Sequence, residues 1–483
     1  VSIELQPAAA AQPEAEPFSE LPQLSRRLRP SAKAPARIVH LGLGAFHRSH
    51  QAWYTHQASD AADWGIAAFT GRRPDAALAL AEQDGLFTVV ERADGGDSFT
   101  VVSSIVEAVD GADVQRLAEL VAAPATAVVT LTITEAAYRL GADGHLDRTA
   151  SDVVADLALL ASDSGNPTTP LGRLVLALAA RRAAAAGPLA VVCCDNLSNN
   201  GTVAHNAVVG MAGAWDAGLA EWIDANVSFV STSVDRITPR TTDADIAAVQ
   251  AACGYRDNSP VVAEPFSNWV LSGDFPAGRP RWEDAGAVFV ADIEPYENRK
   301  LWLLNGAHSL LAYAGQLRGH ATVAQALADP LCLQAVETFW DEAEANLCRQ
   351  EGKAAELQIP AYRAALLARF SNARIAHHLA QIAMDGSTKL RMRAVPVLRA
   401  ERAAGRSGAA AALMIAAWMD HSAAASVFQD PQADQVAAAN RLSGTERISA
   451  LLGLVDPALA GDAAVVGLIE DLCGTFGELA VSP

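Results

Sequence analysis

Lys300, Asn305 and His308 lie within an apolar run, Lys300-Leu-Trp-Leu-Leu-Asn305-Gly-Ala-His308, that otherwise has the make-up of a core helix. On an α-helix, at roughly 100° per residue, His308 lies ~80° and Asn305 ~140° around from Lys300, so one broad face carries all three polar heads. Burying an amine and an amide costs several kcal/mol unless they are paired, and such costs concentrate at functional sites. A buried lysine is pushed toward a neutral pKa, which suits a general base. The residues alone also allow a plainer arrangement: a helix whose first lysine snorkels to water and whose amide and imidazole are satisfied internally.

A second group of residues could hold a dinucleotide. Gly42-Leu-Gly44-Ala-Phe-His47 directly follows the β-type run Arg37-Ile-Val-His-Leu41. Gly42 permits a tight turn, and Gly44 lets the backbone approach a pyrophosphate. His47 occupies the third glycine position of G-x-G-x-x-G. A bare G-x-G also makes ordinary turns, but the strand before it and the βαβ order after it favour the dinucleotide. Beyond the second strand, Asp75 is the acidic residue that could accept from the adenosine ribose hydroxyls, which favours NAD. Arg72 and Arg73 could instead meet a 2′-phosphate, so NADP stays open.

These groups must be carried by regular elements. Short apolar runs at 37–41, 65–69, 127–133, 189–194 and 227–231 alternate with helical patterns at 74–83, 113–121, 151–160, 172–186 and 203–212. That alternation predicts a mainly parallel α/β sheet, a Rossmann-type domain over 34–295. From about residue 296 only helical patterns follow, at 322–327, 333–347, 360–368, 375–385, 408–418 and 445–454, so 296–483 should be all-helical. Residues 1–33, rich in Ala, Pro and Glu, read as a mobile or surface-wrapping tail.

The 483 residues suffice for two domains, and 51% hydrophobic with 19% charged residues allows a large core. A net charge of −19 argues against a general nucleic-acid or anionic-membrane binder, yet leaves room for a small-molecule enzyme with a local basic pocket. The six cysteines form no C-x-x-C pair, zinc pattern or disulfide framework, and read as thiols in a reducing cytoplasm. No metal site is expected. The N-terminus lacks the layout of a signal peptide. The best apolar stretch, 174–192, is broken by Arg181-Arg182 and Gly187-Pro188, so no membrane span is expected.

Taken together, the motifs Ile38-Val-His-Leu-Gly-Leu-Gly-Ala-Phe-His-Arg48, Leu131-Thr-Ile-Thr134-Glu135, Cys194-Asp195-Asn196, Val234-Asp235-Arg236-Ile237-Thr238-Pro239 and Lys300…Asn305…His308 resemble the mannitol dehydrogenase family of polyol-specific long-chain dehydrogenases. The match in order and spacing runs from about residue 37 into the C-terminal region. The resemblance implies metal-independent hydride transfer with NAD, and cofactor contacts at Gly42, Gly44, Phe46, His47, Thr134 and Glu135. It also implies Lys300 as base, Asn196 and Asn305 as the amides facing a developing alkoxide, and His308 and Asp235 on substrate hydroxyls. Glu297 would pass the proton of Lys300 to solvent. From the residues alone, Asp235-Arg236 could equally be a structural ion pair, Asn196 a turn residue and Glu297 a helix N-terminal charge.

The second-domain signature, Arg369-Phe-Ser-Asn372…His377-His378…Gln381…Asp385-Gly-Ser387-Thr-Lys389, departs from the best-known mannitol 2-dehydrogenases at His377 and Gln381 and looks more like fructuronate reductases. His377, Gln381 and Lys389 are therefore expected on the substrate. The Lys389-Leu-Arg391-Met-Arg393 run could suit a uronate carboxylate or simply be a solvated helix end. The nominal reaction is mannitol to fructose, with fructuronate reduction a close second. A redox sensor that binds NAD without turnover is the reading from another class, and an intact lysine base argues against it. A monomer or small homo-oligomer is expected.

Overall fold

The computed structural model describes residues 21–162, 165–349, 353–375, 377–425 and 427–477. Most of the Ala/Pro-rich tail, residues 1–20, lies outside them. What is described of it wraps the surface: Leu24 is fully buried and its N–H donates to the Arg256 carbonyl, while the Arg256 N–H donates to the Pro22 carbonyl.

Eleven strands are formed among the described residues: β1 Ala36–Leu41, β2 Gly65–Phe69, β3 Phe87–Ala93, β4 Gly96–Val102, β5 Ile105–Val109, β6 Val128–Leu131, β7 Leu189–Cys193, β8 Val227–Asp235, β9 Val261–Ala263, β10 Asn268–Ser272 and β11 Val288–Phe289. Eight make one sheet in the order β11-β10-β8-β7-β6-β1-β2-β5. It is parallel from β5 to β8; β10 pairs antiparallel with β8 and parallel with β11, so these two edge strands run opposite to the rest. Helices cover both faces, which is why β2 and β7 are buried at every position and read as unbroken apolar runs. The strand order reverses about β1, with β2 on one side and β6 on the other. The crevice beyond the carboxyl ends of β1 and β6 is where open α/β sheets bind ligands.

The mainly parallel sheet is the one that the strand–helix alternation predicts, and several predicted strands and helices lie within a few residues of their expected bounds. The β3–β4 hairpin, joined by β9 into a separate three-stranded sheet, was not legible. Its strands alternate polar and apolar residues only weakly, because both faces are covered: Phe87, Val89 and Val102 join one core cluster, while Val90 and Val262 join a small one with Leu24, Leu86 and Tyr255.

After β11 the described chain is helical, around a core built on the Ala307–Leu317 and Ala409–Ala424 helices, Trp340 and Phe339. The helix predicted at 375–385 is a correction. The described part is one short turn, Leu379–Ile382, and the chain then reverses at Asp385 (φ +57°) into a second helix, Gly386–Arg393. Asp385 tolerates the left-handed region better than most residues.

The Arg181-Arg182 interruption also has a structural role. Buried Arg181 donates to five backbone carbonyls, of Val121, Ala123, Ala186, Gly187 and Pro188, at 2.7–3.3 Å. These are the turns that feed β6 and β7. Arg181→Leu strands several of those carbonyls, and the expected loss is about 3 kcal/mol or more in unfolding free energy, read by chemical denaturation.

Candidate active site

Lys300–Gly306 is wound as a π-helix between the Glu294–Arg299 and Ala307–Leu317 helices. Its i→i+5 bonding sets Asn305 over Lys300, whereas the α-helical spacing read from sequence put them far apart on one broad face. Lys300 Nζ donates to the Asn196 side-chain oxygen at 2.6 Å and to the Val234 carbonyl at 2.8 Å. Asn196 follows β7 and Val234 lies near the end of β8, so the sheet and the helical layer meet on this amine. Burial lowers the Lys300 pKa, and nearby Asp235 offsets that only in part.

His308 lies two residues past the π turn, buried against Phe370 (ring centroids 4.6 Å apart) and edge-on to His377 (4.8 Å). Its Nε2 has no hydrogen-bond partner, and burial holds the ring neutral. Burial also lowers His377, to about 4, so it is neutral at pH 7.

Asp235 does not pair with Arg236. It receives both guanidinium nitrogens of Arg369, at 2.5 and 3.0 Å, while Arg369 also reaches Glu264 at 2.7 Å. Arg236 turns away, donating to the Ser49 carbonyl at 2.6 Å and to Glu91, with its guanidinium over Trp53. Sequence reasoning gave Arg369 no role. The available signal was a charged residue in the apolar helical run Ala-Ala-Leu-Leu-Ala-Arg369-Phe.

Two cavities meet at Lys300 and Asn305. One, ≈ 530 Å³, is lined by Gly42, Gly44, Phe46, His47, Thr134, Asp235, His308 and His377. The other, ≈ 420 Å³, is lined by Asn196, Glu297, Glu135, Lys389 and Arg393. Glu135 lines the second cavity, beside Asn196 and Lys300, rather than the one with the glycine turn. Glu297 is half-buried, its pKa raised by burial, and accepts from the Asn199 N–H at 2.9 Å. Lys389 Nζ donates to the Ile382 carbonyl at 3.0 Å, and Arg393 to Ser309 Oγ at 2.8 Å.

Gln381 is a correction. It lines a separate cavity with Gln316, His421 and Phe428, because the reversal at Asp385 sends Lys389 and Arg393 toward Lys300 and leaves Gln381 on the other side. Asp75 is another. It sits in the first turn of the Asp75–Ala81 helix, largely exposed and paired with Arg73 at 3.3 Å, outside the cleft.

The glycine turn fits a dinucleotide. Gly42 (φ +111°) is required by the fold, since a Cβ there would lie 2.0 Å from the Thr132 carbonyl oxygen. A Cβ on Gly44 would meet no other segment of the chain closely, and Gly44 lines the cavity, so its bareness leaves room for a ligand. His47 stacks on His40 at 3.3 Å between centroids, both rings buried, with neither nitrogen of His47 bonded. Burial keeps both rings neutral. Asp195 accepts from the Ile133 and Thr134 N–H groups and from Tyr138, which holds Thr134 at φ +76° on the cleft wall. Among the described residues no cluster of three or more His, Cys, Asp or Glu is placed to hold a metal ion. No described helix is long and apolar enough to cross a membrane.

The chain is similar to known proteins over most of its length. The Rossmann domain model of mannitol dehydrogenase matches residues 36–284, and the mannitol dehydrogenase C-terminal domain model matches residues 292–471. D-mannonate oxidoreductase of Escherichia coli K12 is 38% identical over 450 residues, covering 88% of this chain and 90% of the relative. Mannitol 2-dehydrogenase of Cereibacter sphaeroides is 38% identical over 388 residues, covering 79% and 80%. The Pseudomonas fluorescens mannitol 2-dehydrogenase solved with NAD and D-mannitol superposes with a TM-score of 0.73 at 34% identity, over 95% of this chain and 94% of that one. With both halves matched and relatives aligned over most of its length, the chain belongs to the mannitol dehydrogenase family.

Proposed function

We propose that the chain is an NAD-dependent dehydrogenase that interconverts a secondary alcohol of an acyclic polyol or sugar acid with its ketone, using Lys300 as the base. The observation that carries this reading is the bonding of Lys300. A neutral amine has two N–H groups and one lone pair. The Asn196 oxygen and the Val234 carbonyl lie where they take the two hydrogens, which leaves the lone pair free for a substrate hydroxyl proton. Desolvation favours that neutral form. Bound NAD supplies the hydride acceptor. The glycine turn, with Gly42, Gly44, Phe46 and His47, lines the space that would hold it.

Asn305 lines the same cavity as Lys300, its side-chain amide without a hydrogen bond among the described residues, and its N–H₂ can donate to the oxygen as charge develops there. His308 lines the same cavity, and its unpartnered Nε2 is the group that can bond a neighbouring hydroxyl. Glu297, on the far side of Lys300, can receive the proton and release it to water. Asn305→Ala is expected to lower kcat about 10²–10³-fold, with a smaller change in KM, in a steady-state assay.

The nominal substrate pair is mannitol and fructose. The second reading, mannonate and fructuronate, is favoured by Lys389 and Arg393 on the Lys300 cavity. His377, neutral at pH 7, would add a hydrogen bond there but no charge. Loss of NADH absorbance with fructose and fructuronate in parallel tests both. Turnover of fructose alone supports the first, preference for fructuronate the second. NADH binding without turnover on any polyol or uronate would sink the enzyme reading in favour of a sensor.

A further inference from the structure

β2 ends at Phe69, whose carbonyl accepts from the Gly42 and Leu43 N–H groups at 3.0 and 2.8 Å. The loop that follows is therefore tied to the glycine turn. Thr70, Gly71 and Arg72 line a cavity of ≈ 590 Å³ that shares Gly42 and Thr134 with the cleft described above. In a Rossmann cleft this is the adenosine end. A carboxylate at the end of the second strand selects a free ribose 2′-hydroxyl, because it accepts from the hydroxyl and repels a phosphate.

No carboxylate of the loop takes that place. Asp75 is 73% exposed, paired with Arg73, and off the cavity. The one carboxylate among the lining residues is Asp152, already bound by Arg139 through Nε at 2.9 Å and Nη2 at 2.6 Å. Three arginines line the same cavity. Arg173 is fixed under the loop, donating to the Gly71 carbonyl at 3.1 Å and the Pro167 carbonyl at 3.3 Å. A Cβ on Gly111 would lie 2.9 Å from its Nη1, so glycine there keeps the guanidinium in place. Arg72 sits on the rim, exposed, with no hydrogen bond or ion pair among the described residues. In a chain of net charge −19 this is a local basic patch.

We propose that the loop after β2 accepts the 2′-phosphate of NADP(H), with Arg72 as its principal partner and Arg173 behind it, so that the chain takes NADP(H) as well as NAD(H). This rests on the dehydrogenase reading. A planar, delocalised guanidinium can meet phosphate oxygens in pairs, and such charge-assisted bonds are about twice as strong as neutral ones.

Binding separates the two readings. Purified protein is titrated by calorimetry with NADH, NADPH and 2′,5′-ADP, and the titrations are repeated on Arg72→Ala. The expected result is NADPH affinity within about tenfold of NADH and measurable 2′,5′-ADP binding. Arg72→Ala should raise the NADPH/NADH ratio of Kd by about tenfold or more. A larger preference for NADH, or a ratio unmoved in Arg72→Ala, overturns the proposal and leaves the dehydrogenase reading intact. If neither dinucleotide binds, both fall together.

Discussion

Replacing Lys300 with alanine is expected to cut turnover about 10³–10⁴-fold or more, the range of a lost general base, while NADH still binds. Lys300→Arg should be equally inactive, because a guanidinium keeps its proton at any working pH. The pH dependence follows from the direction of the pKa shift. Burial lowers Lys300 from its ordinary 10.5, so kcat/KM for alcohol oxidation rises with pH and levels off below that value. Ketone reduction needs the protonated amine and falls over the same interval. Both limbs should vanish in Lys300→Ala. If its profile still carries that limb at reduced amplitude, the base is another group. There is a linked stability effect. The folded protein binds fewer protons at this site than the unfolded chain, so stability rises with pH between the depressed pKa and 10.5.

Arg369→Leu is expected to cost about 3–5 kcal/mol of stability, as for one partner removed from a buried ion pair. Arg369 is the shared counter-ion of Asp235 and Glu264, and its side chain is 3% exposed. The sign of the pH effect distinguishes this from a simple loss of packing. In the wild type, Arg369 holds the Asp235 carboxyl below its usual range despite burial, so that contribution is lost as pH falls through the depressed pKa. In the variant both carboxyls lose their cation, so burial raises Asp235 and lifts Glu264 further above the value of about 7 that burial already gives it beside Arg369. The folded state then binds more protons than the unfolded chain, and the deficit shrinks on acidification. Urea denaturation at two pH values reads the crossover. A deficit independent of pH would assign Arg369 to packing alone. Adding Glu264→Gln to Arg369→Leu should recover part of the loss, since one of the two stranded charges is gone.

The chemistry of this chain is written locally, and that part was legible. Lys300, Asn305 and His308 stand out because polar heads in an apolar run are costly wherever they fall, and the glycine turn stands out because Gly42 sits against Thr132 in space that admits no side chain. The mainly parallel sheet was legible for a similar reason: strands buried on both faces must be apolar throughout. The relation between those parts was not legible. α-Helical spacing separated Lys300 from Asn305 by about 140°, and no spacing in the run announces the π turn that the folded chain makes there. Asp235 has an arginine beside it in sequence and pairs with one 134 residues away, because β8 aims the two neighbours in opposite directions. Gln381 and Lys389 looked like one substrate-facing stretch until the left-handed turn at Asp385 divided them between two cavities. Asp75 has the right type and nearly the right position, yet it falls one helix turn beyond the cleft and leaves Arg72 at the rim. Residue type and short spacing determined which groups can do chemistry. Which of them share a cavity depended on chain reversals and on contacts between sheet and helices, which only the folded backbone sets.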